Sequence, residues 1–194
     1  QDIKLEDYIL RLDRFAASCP WPESWLGELL SGFSCQSMEE SKWMKNLMQT
    51  LAQSISGCRK VAEQAVALCC SDGPYAYRDA LESDLECLEE LCVCKTYQDI
   101  SKVLQNFQFK ALSRKSMPDC PPEKKEQVKA LREQIKVCIK GIKEDFFFQD
   151  YKEMEQDWRA SASPAKALIR LTLRFRELFS EKKLEKRLLD FSDV

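Results

Sequence analysis

The sequence predicts an all-α fold: an elongated helical bundle with long antiparallel helices. Three observations carry this. Gly occurs only 5 times in 194 residues, so turns are few, while Leu, Glu, Lys, Gln and Ala abound, and these are strong helix formers. Apolar residues recur at helical spacing along most of the chain, and no alternating strand pattern is present. Hydrophobic residues make up 44% and charged residues 32%, a balance that suits a packed domain rather than a disordered segment. A chain of this size buries roughly 70% of its unfolded surface.

Taken in order, residues 3–17 carry Ile3, Tyr8, Ile9, Leu12 and Phe15 on one helical face. Cys19-Pro20-Trp21-Pro22 breaks that helix, because proline resists continuation and restricts the residue before it. Pro22 suits the first turn of a second helix bearing Trp25, Leu26, Leu29 and Leu30, and Trp25 reads as core. Residues 39–70 form the longest periodic run. Met44, Met48, Leu51, Ile55, Cys58, Ala62, Ala65 and Cys69 step alternately by four and three, a heptad seam on a helix of roughly 48 Å. Ser71-Asp72-Gly73-Pro74 ends it. A helix through Leu81, Leu85, Leu88 and Leu91 follows, then a shorter one through Ile100, Val103, Leu104 and Phe107.

Residues 113–122 read as a loop, and a helix starts at Pro121-Pro122 and runs to about Gln149. Its seam is taken as Val128, Leu131, Ile135, Cys138 and Ile142. Phe146, Phe147 and Phe148 cannot all face one side of it. After Tyr151–Trp158, Ala160–Ser163 reads as a polar break before a last helix carrying Leu168, Leu171, Phe175, Leu178 and Phe179. Such long seams need partner helices.

Composition excludes much chemistry. There is no His, so no Ser-His-Asp or Cys-His pair and no His-ligated metal can form. No Gly-x-x-x-x-Gly-Lys-Ser/Thr phosphate loop and no Gly-x-Gly-x-x-Gly occurs. The ten cysteines lie mostly at apolar helical positions and read as reduced core residues, with no Cys-x-x-Cys pair to bind zinc. No stretch is apolar enough for a membrane span and no signal peptide is evident. A cytoplasmic protein without a metal or cofactor of its own is expected.

Charge is segregated. Residues 72–99 carry eight acids against Arg78 and Lys95, a net charge of −6. Residues 110–143 carry ten bases against four acids, and residues 159–187 nine against three, each a net +6. Basic segments attract phosphate backbones. The candidate DNA contacts are Lys110, Arg114, Lys115, Lys124 and Lys125, followed by Arg170 and Arg174. If the helix after the loop doubles back, the first five converge at one end of the bundle. The competing reading is a helical scaffold that binds partner helices through its seams.

Four local patterns point to a family. They are Leu12-Asp13-Arg14-Phe15-Ala16-Ala17-Ser18-Cys19-Pro20 before Pro22-Glu23-Ser24-Trp25-Leu26; Gly73-Pro74-Tyr75-Ala76-Tyr77 with Leu81 and Asp84; Phe109–Arg114 before the loop and the long basic helix; and Phe175, Phe179 and Lys182 leading to Leu189-Asp190-Phe191-Ser192-Asp193. In this order they resemble the helical insertion called 1B of AddA, the helicase/nuclease component of bacterial AddAB double-strand-break repair complexes and a UvrD/RecB-like superfamily 1 helicase. Phe179 stands where that family usually has Tyr. The resemblance implies that residues 1–194 are a single accessory domain, an internal fragment of a larger enzyme that translocates on DNA with ATP and Mg and resects broken ends. It implies three kinds of partner: DNA, the remaining motor domains and an AddB-type subunit. It also implies a bacterial cytoplasm. The Walker motifs, arginine finger and nuclease carboxylates of the family lie outside this segment. Asp190 and Asp193 read as helix caps.

Overall fold

A computed structural model describes residues 2–35, 37–70 and 73–189. Among them are seven α-helices, one short 3-10 turn and no strand: α1 (Asp2–Ala17), α2 (Pro22–Gly32), α3 (Lys42–Cys70), the 3-10 turn (Tyr75–Tyr77), α4 (Arg78–Val93), α5 (Tyr97–Asn106), α6 (Pro122–Phe146) and α7 (Tyr151–Lys186). The all-α prediction is met. The side chain of Ile3 and the proposed caps Asp190 and Asp193 lie outside the described residues. The chain divides into two compact units. Asn46–Tyr151 form one, and the residues up to Lys45 and from Lys152 onwards form the other.

The unit containing both ends of the chain is organised by a small apolar cluster. Ala16 of α1, Leu26 of α2 and Ile169 of α7 are buried, and Leu12, Trp25, Leu29, Leu30, Phe33 and Leu173 pack around them. Pro22 opens α2 at a position where its missing N–H costs nothing. Ser41 caps α3: its hydroxyl accepts from the Met44 N–H at 3.1 Å and donates to the Met38 carbonyl at 2.6 Å. Arg176 of α7 ties the cluster's polar edge, donating to Asp13 at 2.6 Å and to Glu23 at 2.8 Å.

The break expected at Ala160–Ser163 is absent. α7 is continuous with Pro164 inside it. Proline at that position forfeits one intrahelical bond, to the carbonyl four residues earlier. The alanines on both sides favour helix, and the helix's apolar face beyond it is buried against α1 and α2, so packing outweighs the local penalty.

In the other unit α3 runs antiparallel to both α4 and α6. Cys58 lies in the cluster against which Cys138 of α6 packs, while Cys69 shares a cluster with Val128 near the start of α6 and with Tyr77 and Leu81 at the start of α4. The larger cluster holds Leu51, Ile55, Cys58 and Ala62 of α3 against Leu88, Leu91, Ile100, Leu104, Ile135, Ile139 and Ile142. The α3 seam is therefore covered within the chain, over a helix of 29 residues, about 44 Å long. Burial pushes the Cys58 thiol up to about 12, with the neighbouring Cys138 thiol adding to it, and the Cys69 thiol up to about 11. Thiols with such values stay protonated near neutrality and behave as small apolar groups. All ten cysteines are free. Of the three phenylalanines ending α6, Phe146 and Phe147 pack on the core, Phe147 stacking on Tyr97 at 4.4 Å, while Phe148 is 73% exposed.

The seam of α6 differs from the expected one. Val128, Arg132, Ile135, Ile139 and Ile142 are buried, whereas Leu131 and Cys138 are half-buried. Both sets have helical spacing, and a charge at position 132 hid the buried one.

Gly73 sits between α3 and the 3-10 turn, where the chain folds back on the end of its own helix. A Cβ there would fall 1.9 Å from the Leu68 carbonyl oxygen. Replacing Gly73 by Ala forces the backbone to move and should lower stability by about 1–3 kcal/mol in urea unfolding, with the helical circular dichroism retained at low urea.

The Arg176 hydrogen bond holds the Glu23 carboxyl below its ordinary value. An acid with a lowered folded value stabilises above its unfolded value and loses that contribution as pH falls through the folded one. Glu23 is mostly exposed, so the contribution is at most about 1 kcal/mol. Melts of the protein and of Glu23→Gln should differ near neutral pH and converge in acid.

A candidate nucleic-acid interface

The sequence between α5 and α6 makes a single non-helical run over residues 107–121, longer than the expected loop. Its course is set by three contacts with α6. Lys143 donates to the Phe107 carbonyl at 3.4 Å, Arg132 to the Lys110 carbonyl at 2.6 Å, and Lys125 to the Met117 carbonyl at 2.9 Å. Rising residue numbers in the run meet falling numbers in α6, so the run is antiparallel to the helix. Between the helix residues that hold Phe107 and Met117, α6 advances about 27 Å, within the roughly 33–36 Å that ten extended residues can span. Phe109 packs on the core, and the Arg132 guanidinium lies 5.6 Å from its ring centre.

The middle contact rests on an ion pair. Arg132 is 3% exposed and Asp84 of α4 is 1% exposed. The guanidinium meets the carboxylate with two hydrogen bonds, Nε to Oδ2 at 2.6 Å and a terminal nitrogen to Oδ1 at 3.1 Å, and that same terminal nitrogen reaches the Lys110 carbonyl. Burial pushes the Asp84 carboxyl up from its ordinary value, and the Arg132 hydrogen bond opposes it. A pair whose desolvation outweighs its attraction gives little net stability. What it provides is position: α4, α6 and the non-helical run are held at one point.

This architecture sorts the basic residues. On α6, Lys129 pairs with Glu126, Lys136 with Glu133 and Lys140 with Glu144, each within one helical turn. Lys125 and Lys143 donate to backbone carbonyls. The acidic helix α4 meets α6 through Asp84, and its Glu82 pairs with Arg78 of the same helix. Lys110, Arg114 and Lys115 lie exposed on the non-helical run, and Arg114 has no ion-pair partner among the described residues. Lys115 sits with its ammonium 5.6 Å from the ring centre of Tyr75.

Of the five cations expected to converge, Arg114, Lys115, Lys124 and Lys125 belong to one end of this unit. There the 3-10 turn, the turn at residues 118–120 and the start of α6 share the cluster of Tyr77, Met117, Cys120 and Val128. Lys110 does not join them. It lies level with Arg132, about 12 Å along α6 from Lys124. Arg170 and Arg174 belong to the other unit, one turn apart on α7, and Arg174 pairs with Glu177 at 2.9 Å. Sequence reasoning passed over Arg132 and treated Asp84 only as part of a pattern. The signal was available: each charge occupies a seam position of an otherwise apolar helix face, Asp84 between Leu81 and Leu88, Arg132 between Val128 and Ile135. Among the described residues no group of side chains is arranged to hold a metal ion, and no helix is long and apolar enough to cross a membrane.

The ordering of these elements along the whole chain has relatives. A protein of Lachnoclostridium phytofermentans, named as the A subunit of an ATP-dependent helicase/nuclease, is 34% identical over 202 aligned residues that take in all of this chain. Proteins of the same name from Oceanobacillus iheyensis and Ruminiclostridium cellulolyticum are 29% and 26% identical, again over the full chain. Over its whole length the chain is thus similar to a segment of AddA-type ATP-dependent helicase/nuclease subunits. It spans about 15% of the length of the Lachnoclostridium relative and about 16% of the other two. No family model matches it. Within this segment the Gly-Pro-x-x-Tyr pattern gains a structural meaning. Tyr77 and Leu81 are buried side chains that build the end of the unit where Lys115 lies, and Asp84 is buried farther along, where it meets Arg132. Leu26 of the first pattern is core, and Trp25 packs on it. In the fourth pattern Phe175 and Phe179 stack at 5.6 Å, and the residues from Asp190 onwards lie outside the described ones.

Removing one member of the buried pair leaves the other charge unpaired. Asp84→Leu alone should therefore cost about 3–5 kcal/mol. Asp84→Leu with Arg132→Met should recover most of that loss while freeing the Lys110 carbonyl. Hydrogen exchange should then show faster amides over residues 107–117 in the double variant, with α3 and α6 protected as before.

Proposed function

We propose that this segment is a non-catalytic accessory domain that binds and guides DNA within an ATP-dependent helicase/exonuclease, and that residues 1–194 act as one such domain. The observation that carries the reading is the exposed basic run. Arg114 and Lys115 lie on the stretch between Lys110, whose carbonyl Arg132 holds, and Met117, whose carbonyl Lys125 holds, while other cations of the helix pair with glutamates. Cations on a pinned backbone form a surface for phosphates without demanding a sequence. Similarity to AddA-type subunits supports a DNA-processing parent, with ATP and Mg used elsewhere in it, an AddB-type partner and a cytoplasmic setting. The chain's own lack of His and of a phosphate loop supports the absence of a catalytic role. Docking on the remaining motor domains is supported by large exposed apolar side chains of the unit containing α1, α2 and α7, among them Phe15, Trp21, Leu178 and Leu184. The scaffold reading loses its main support, since the α3 seam finds its partners inside the chain.

Fluorescence anisotropy with a labelled DNA hairpin across a salt series tests this. Weak binding without sequence preference is expected, about 10⁻⁴–10⁻⁶ M, falling steeply with salt. Arg114→Glu with Lys115→Glu should weaken it and flatten the salt slope while the helical signal stays unchanged. Absence of binding at low salt, or binding indifferent to the double charge reversal, removes the run from the DNA path.

A further inference from the structure

We propose that Tyr75 is a stacking platform for an unpaired base, so that the nucleic acid engaged at this end of the unit is single-stranded DNA; this rests on the DNA-binding reading of the basic run. Tyr75 is 52% exposed although it stands on a well-anchored turn. Its neighbours Ala76 and Tyr77 pack into the cluster formed with α3 and α6. The turn is closed by the Tyr75 N–H donating to the Gly73 carbonyl at 2.9 Å and the Tyr77 N–H donating to that of Pro74 at 2.8 Å. On its far side Gly73 lies so close to the Leu68 carbonyl that a Cβ there would collide with it. The ring is thus presented by a fixed backbone.

What surrounds the ring gives the ligand class. Lys115 lies over its face at 5.6 Å and Arg114 precedes it in the sequence. Both are exposed, and Lys124 and Lys125 open α6 at the same end. An aromatic face beside several cations offers the two things an unpaired strand needs: a surface for a base and charges for the flanking phosphates. A stacked duplex presents phosphates but no free base face, so it engages the cations and leaves the ring unused. The ammonium of Lys115, on a flexible stem, exchanges the ring for a phosphate while the base takes its place over the ring.

Binding of a labelled oligothymidine and of a duplex of equal length, at low salt, decides the matter for the 194-residue chain, Tyr75→Ala, Tyr75→Phe and the Arg114→Glu/Lys115→Glu variant. Tyr75→Ala should weaken oligothymidine binding about tenfold and duplex binding less than about twofold, in line with the loss of one stacked base. Tyr75→Phe, which keeps the ring, should bind like the parent. Melting curves check the fold, and the partly exposed ring makes Tyr75→Ala a mild change. If Tyr75→Ala leaves oligothymidine affinity unchanged while the charge reversal lowers it, or if Tyr75→Phe falls as far as Tyr75→Ala, the stacking role is overturned and the basic run still stands. If the parent chain binds neither ligand, the DNA reading itself has failed.

Discussion

The ion pair between Asp84 and Arg132 is the constraint on which the basic surface depends. It occupies a point where two apolar helix faces meet, a place that carries a heavy desolvation cost for any charge. The guanidinium has donors to spare after satisfying the carboxylate, and one of them holds the Lys110 carbonyl. A lysine at position 132 has no planar fork with which to do both. A run of non-helical backbone along α6 is thereby tied at Lys110, while Lys143 and Lys125 hold the regions near Phe107 and Met117.

That fixed path explains why the chain's charges divide into two populations. A helix brings side chains three and four residues apart together, so a helix rich in both Lys and Glu neutralises much of its own surface. Lys129, Lys136 and Lys140 all meet this fate. A non-helical backbone has no such periodicity, and among the described residues neither Arg114 nor Lys115 forms an ion pair. Arg114 and Lys115 therefore face solvent even though the chain's net charge is only −2. The overall charge says little about nucleic-acid affinity here. What matters is which cations the secondary structure leaves unengaged.

The same division appears in the apolar surface. The unit built on α3, α4 and α6 covers its seams internally, with two clusters stacked along α3. The other unit has one small cluster and leaves large apolar side chains on α1 and α7 in solvent, including Tyr8, Phe15, Leu178 and Leu184. An apolar surface suits a region that packs on other protein.

The helices, their order and most of their ends were determined by the sequence itself. Periodicity, Pro22, Gly73-Pro74 and Pro121-Pro122 are local signals, and helix formation answers to local signals. The α3 seam was likewise readable, because its buried positions from Met44 to Cys69 are all apolar. Three things only the tertiary structure decided. The continuity of α7 through Pro164 depended on burial of the face beyond it, a non-local energy that exceeds one lost hydrogen bond. The true face of α6 was decided by Asp84, 48 residues away, since a charge takes a seam position only when its partner comes from another helix. The accessibility of the seven candidate cations also lay beyond the sequence. Composition located basic segments, but whether a lysine meets a glutamate, a carbonyl, a ring or water is settled only when the backbone's path sets the distances between them.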